Sequence, residues 1–183
     1  MERARGWTLV ELIMVLVIMG NLVTFVGPVL LNAINAYTYT NASLATYAKM
    51  RYALERMARE VREVRRDPSN TADYDISMSA TQMIFRTNDN DTNNGNNNQV
   101  TITFSAPTVT LAYTLPSSIS ATLTDQVNST PPAGCSYGFQ YFQQDGTMAS
   151  SKSNVAFVEI GLTLSDGTSD YCNRVRVDLR NPQ

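Results

Sequence analysis

Apolar residues crowd the start of the chain. From Leu9 to Leu31 there are 23 residues whose only ionisable side chain is Glu11. As a helix rising about 1.5 Å per residue, this run reaches roughly 34 Å, enough to cross a hydrocarbon core of about 30 Å. It is longer than the apolar core of a secretory signal, and no good small-x-small cleavage site follows it. Past Leu31 a polar stretch, Asn35 to Ser43, gives way to a different pattern. Leu44, Tyr47, Met50, Leu54, Met57 or Ala58, Val61 and Val64 recur every three or four positions, which predicts one buried face of an amphipathic helix. The opposite face alternates in charge: Arg51 with Glu55, Glu55 with Arg59, Arg56 with Glu60 and Arg59 with Glu63 stand four apart. Asp67-Pro68 predicts the end of this helix, with Arg65 and Arg66 placed to complement its C-terminal dipole.

Beyond residue 67 the period shortens to two. Strands are predicted at Tyr74–Met78, Gln82–Arg86, Val100–Phe104, Thr108–Leu115, Ser118–Thr124, Ser136–Phe142, Val155–Leu164 and Tyr171–Leu179. Alternation is sharpest in the last, where Val175, Val177 and Leu179 share one face while Arg174, Arg176, Asp178 and Arg180 share the other. Asp145-Gly146 and Asp166-Gly167 read as tight turns. A sheet with one apolar face needs a cover, and the apolar stripe of residues 44–64 supplies one. The expected class is α+β: one long helix packed on an antiparallel sheet.

Composition narrows the chemistry. The 183 residues carry 14 Lys+Arg and 16 Asp+Glu, a net charge of −2, with no His and two Cys. Missing His removes the commonest general base and the commonest metal ligand. No G-x-S-x-G, phosphate-binding Gly loop or metal cluster is present, so nothing positive supports an enzyme. Seven of the 14 basic residues lie from Lys49 to Arg66, but Glu55, Glu60 and Glu63 interleave with them and no aromatic platform accompanies them. That segment reads as a solvated helix face rather than a nucleic-acid surface. Arg3 and Arg5 precede the apolar run and predict a cytoplasmic N-terminus with the remainder exported.

Glu11 needs a reason, because a carboxylate at the centre of a membrane helix costs roughly 2.5–3.5 kcal/mol, less near an interface. An acid there calls for a positive charge brought by another chain. The segment Arg5-Gly6-Trp7-Thr8-Leu9-Val10-Glu11-Leu12 resembles the processing site of type IV prepilins and pseudopilins. That family has a short basic leader, a Gly, and a hydrophobic first mature residue followed by Glu at the fifth position. The resemblance implies cleavage by a prepilin peptidase between Gly6 and Trp7, N-methylation of the new terminus, and Glu11 as the assembly glutamate. Trp7 departs from the Phe usual at that place. Gly20 and Pro28 resemble the Gly and Pro of the family's long helix, a region of local flexibility. The implied organisation is a leader over residues 1–6, a long helix over 7–66 with about 9–31 in the membrane, and an exported head over 67–183. Arg51 to Arg66 and Arg174 to Pro182 more loosely resemble minor subunits, of the O type in the MSHA (mannose-sensitive haemagglutinin) pilus or the J type among type II secretion pseudopilins. The implied partners are other pilin or pseudopilin subunits, the peptidase, the inner-membrane assembly platform and the membrane itself, with no nucleic acid.

Cys135 and Cys172 both fall in the exported portion, where a lone pair reads as a disulfide closing a loop of 36 intervening residues. The run Thr87 to Gln99 is rich in Asn. Asp89, Asp91 and Asn93 alternate like the opening of a calcium loop, but Gly95 comes one residue late and no Glu follows at the right distance. A surface loop of turn-forming Asn is the first reading and calcium the alternative; no other cofactor is expected. Tyr137, Phe139 and Tyr141 alternate as sheet core does. Two functions from different classes fit the chain: a filament subunit processed after Gly6, and a membrane-anchored periplasmic binding or sensory domain that never polymerises.

Overall fold

The computed structural model describes residues 7–87, 99–114 and 118–179. Gly6 and the calcium candidates Asp89, Asp91 and Asn93 lie outside the described residues. The chain divides into two compact units, Met1–Ser43 and Leu44–Gln183. One helix, α1 (Leu9–Arg62), contributes to both.

In the first unit every side chain from Leu9 to Leu31 is exposed except the partly covered Gly27. A helix apolar on all sides has no solvated face to offer water, and hydrocarbon or neighbouring protein is the environment that suits it. It is the single described helix long and apolar enough to cross a membrane. The polar stretch that follows stays helical, and its hydroxyls find acceptors on the helix's own backbone. Thr38 donates to Asn35 O (2.9 Å), Thr40 to Ala36 O (2.8 Å) and Ser43 to Tyr39 O (3.0 Å).

In the second unit, residues 44–62 of α1 lie against two antiparallel sheets. Met50, Ala53, Leu54, Met57, Ala58 and Val61 are buried in the core. At its start the buried face runs through Thr46 rather than the predicted apolar positions: Thr46 is buried, whereas Leu44 is 61% exposed and Tyr47 52%, although the Tyr47 ring meets Tyr171 edge-on at 4.9 Å. Two of the four expected helix ion pairs form, Arg51–Glu55 at 2.6 Å and Arg56–Glu60 at 2.7 Å. Glu60 is buried, and Tyr113 explains why that is tolerated. Its hydroxyl accepts from Arg56 Nη2 (2.6 Å) and donates to Glu60 Oε1 (2.7 Å), fastening helix to sheet. Burial and the Glu60 carboxylate together push the Tyr113 phenol pKa up.

The helix ends at Arg62, short of the Asp67-Pro68 signal, because strand pairing captures the chain first. Val64 bridges Thr87, Arg65 N–H donates to Arg86 O, and Arg65 O accepts from Asp75 N. Arg65 and Arg66 therefore do not complement the helix dipole. Arg65 is buried and donates through Nε and Nη2 to Asp75 Oδ2 at 3.1 and 2.8 Å. Arg66 lies over the Tyr74 ring, 3.8 Å from its centroid.

A two-stranded ribbon, β1 (Arg66–Asp67) with β2 (Asn70–Tyr74), leads into a five-stranded sheet. That sheet has the order β3 (Ile76–Ser77), β4 (Gln82–Arg86), β5 (Gln99–Ser105), β6 (Thr108–Tyr113) and β7 (Ile119–Thr124). The predicted strand Tyr74–Met78 is broken at Asp75, whose amide and carbonyl are spent on Arg65 and Arg86. The second sheet has the order β10 (Asp170–Asp178), β9 (Phe157–Ser165), β8 (Gly138–Phe142). Central β9 is covered on both faces: Val158, Ile160, Leu162 and Leu164 face the core, and Glu159, Gly161 and Thr163 are buried on the other side.

One short segment stitches the sheets together. Thr81 O accepts from Phe104 N (2.8 Å) and Ala80 O from Phe139 N (2.7 Å). Gly138 permits that approach, since a Cβ there would collide with Ala80 O and the backbone has φ +91°. The same φ cuts the predicted strand Ser136–Phe142 at its start. Phe139 and Tyr141 are buried as expected, while Tyr137 is half-buried and packs edge-on against Phe104 at 5.3 Å. Cys135 and Cys172 form the expected disulfide, with Cα atoms 5.6 Å apart. It ties the segment before β8 to β10, and Thr163 Oγ1 donates to Ser136 O (3.0 Å) beside it.

Candidate functional site

The N-terminal end of α1 is built as a reciprocal cap. Thr8 precedes the first helical residue, and Glu11 stands at the third helical position. Glu11 Oε2 accepts from Thr8 N and from Thr8 Oγ1, and Thr8 Oγ1 accepts from Glu11 N, each at 3.3 Å. Thr-x-x-Glu before an apolar run is the signature of this capping box, so Thr8 was readable from sequence as the partner of Glu11. A helix leaves its first amides without intrahelical acceptors, and in an apolar medium those amides are costly to leave bare. All three bonds are long for their type, and they engage one carboxylate oxygen. Among the described residues Glu11 Oε1 has no donor. A carboxylate has room for about four hydrogen bonds, so the cap leaves capacity for an incoming cation.

Trp7, the expected first mature residue, is 74% exposed and precedes the cap. Gly20 and Pro28 lie inside an unbroken helix. Proline has no N–H, so the Thr24 carbonyl, four residues back, loses its usual donor. Thr24 makes a compensating contact of another kind, its Oγ1 donating to Gly20 O at 2.9 Å. Neither glycine in this stretch is packed: a Cβ at Gly20 or Gly27 would meet nothing within 4 Å. Their small size serves no contact with any described residue.

The site therefore comprises one apolar helical surface, a single carboxylate at its capped end, and a backbone weakened between Gly20 and Pro28. It can bind another apolar helix and one cation. Among the described residues no cluster of three His, Cys, Asp or Glu is arranged to hold a metal. Compared with known proteins, the chain matches no family model and no curated sequence. The functional reading accordingly rests on these residues and their geometry.

Proposed function

We propose that the chain is a structural subunit of a type IV pilin-like filament, of the minor pilin or pseudopilin kind. It is made as a single-pass inner-membrane precursor with its N-terminus in the cytoplasm, cut after Gly6 by a prepilin peptidase, methylated at Trp7, and transferred by an assembly platform into a periplasmic or surface filament. Its role is packing rather than catalysis. One observation carries this reading: apart from Asn21 and Thr24, the surface of α1 from Leu9 to Leu31 is apolar and almost wholly exposed, and its one charge is Glu11 at the capped end. A simple membrane anchor gains only a helix cap from that charge and loses transfer free energy by it. A helix that packs against identical helices gains a partner for the amino terminus of its neighbour. Leaving that ammonium unpaired in a low-dielectric core costs about 3–5 kcal/mol.

The test separates the cap from the intermolecular pair. Glu11→Ala, expressed to the normal membrane level, is expected to vanish from sheared filaments, and Glu11→Gln to fall between it and the native chain. Thr8→Val removes the hydroxyl of the cap but keeps the carboxylate, and is expected to incorporate normally. Equal loss in Thr8→Val and Glu11→Ala would reduce Glu11 to a helix cap.

A further inference from the structure

Strand β10 forms one side of its sheet, and among the described residues no strand pairs with its outer side. The direction of its backbone groups follows from two bonds. Leu179 N–H donates to Ala156 O on the β9 side (3.1 Å), whereas Arg174 N–H is taken by the side-chain Oδ1 of Asn173 (2.8 Å). Backbone groups alternate sides along a strand, so Cys172, Arg174 and Arg176 turn their N–H and C=O outward. An open edge of this kind is a template for another strand.

Beside that edge runs a groove of about 510 Å³ between α1 and β10. Arg51, Arg59, Arg62 and Arg174 line it, over a floor that includes Leu54 and Val175. The one carboxylate among its described lining residues, Glu55, is held by Arg51 at 2.6 Å. Among the described residues Arg59 and Arg62 have no acidic partner. Arg174 shares the buried Glu159 with Arg176, at 3.5 and 3.1 Å. The protein as a whole carries −2, so this positive charge is a local concentration. Charged edge residues commonly serve only to discourage pairing. That role does not account for the two unpaired arginines on the helix.

We propose that this groove takes an extended acidic segment of a partner protein, added to β10 as a further strand with the carboxylates of its α1-facing side on Arg59 and Arg62. Main-chain bonds to the β10 edge supply affinity and the arginines select the charge. A single-stranded nucleic acid is the poorer fit, because among the described residues no aromatic ring lines the groove for bases to stack on. The inference stands apart from the filament reading, since it concerns the unit Leu44–Gln183 alone.

The test uses the full chain in detergent micelles and a fluorescent short peptide alternating Val and Asp, followed by anisotropy. Saturable binding is expected. It should weaken by about tenfold or more when every Asp of the peptide is Asn, and likewise when every peptide amide is N-methylated. The variant Arg59→Glu/Arg62→Glu changes two exposed side chains and is expected to lose binding to the same degree while keeping the native disulfide. Absence of binding to the native chain would overturn the proposal. Undiminished binding of the N-methylated peptide would overturn strand addition. Displacement of the peptide by a lower concentration of oligothymidylate would assign the groove to nucleic acid instead.

Discussion

At position 11 one carboxylate meets two demands. It closes the cap with Thr8, and the proposed assembly asks it to receive a neighbour's ammonium. The two are compatible because the cap occupies a single oxygen, and because its 3.3 Å bonds yield easily to a charged donor. A second residue acts in the head. Tyr141 is buried, donates to Ser79 O (3.0 Å) and accepts from Ser79 N (3.3 Å). Burial pushes its phenol up to about 12. A pKa raised on folding contributes stability that is complete below the unfolded value near 10 and lost as pH rises through about 12. Tyr74 and Tyr113 shift in the same direction and add to the effect. Chemical unfolding of the full chain in micelles is expected to show stability falling across that alkaline range. Tyr141→Phe should flatten part of the fall, at a cost near neutrality of about 1–3 kcal/mol for the stranded Ser79 groups. An unchanged slope in Tyr141→Phe would contradict the assignment.

At the scale of elements, α1 shows which signals were legible in the sequence. Its membrane-length apolar run and the stripe from Met50 to Val61 follow directly from composition and period, and both appear as read. The ends were less legible. Leu44 and Tyr47 continue the period but stay more than half exposed, Tyr47 meeting the sheet at Tyr171, and Arg65 leaves the helix because Arg86 and Asp75 offer its backbone and guanidinium better partners. Such outcomes depend on residues distant in sequence, which a local period cannot register. Thr8 differs, since its capping spacing was on view. Packing gives a sharp contrast within one helix. Met57→Ala, at a fully buried position, is expected to cost about 2–5 kcal/mol, and Leu44→Ala to stay within about 0.5 kcal/mol. Urea unfolding of both variants checks this, and similar losses at the two sites would contradict the boundary of the core.

Across the whole molecule, the two units answer to different solvents. Leu44–Gln183 has its own core of one helix segment and two sheets, closed by the Cys135–Cys172 disulfide. In the chain-entropy account that cross-link stabilises the fold by about 3–4 kcal/mol. Cys135→Ser/Cys172→Ser is expected to fold less stably by that order when produced for export, measured by unfolding without reductant; no change would remove the disulfide from the account. The basic groove beside β10 was beyond sequence reading, because nothing along the chain announces that the edge of β10 lies beside Arg59 and Arg62. The apolar helix was plain, but whether it ends as an anchor or a filament strand turns on what happens before Trp7. The most direct measurement is therefore N-terminal sequencing of the full chain expressed with a prepilin peptidase. The account predicts a mature protein starting at Trp7, with Gly6→Val left uncut. A native chain that retains Met1 in the presence of active peptidase would contradict it.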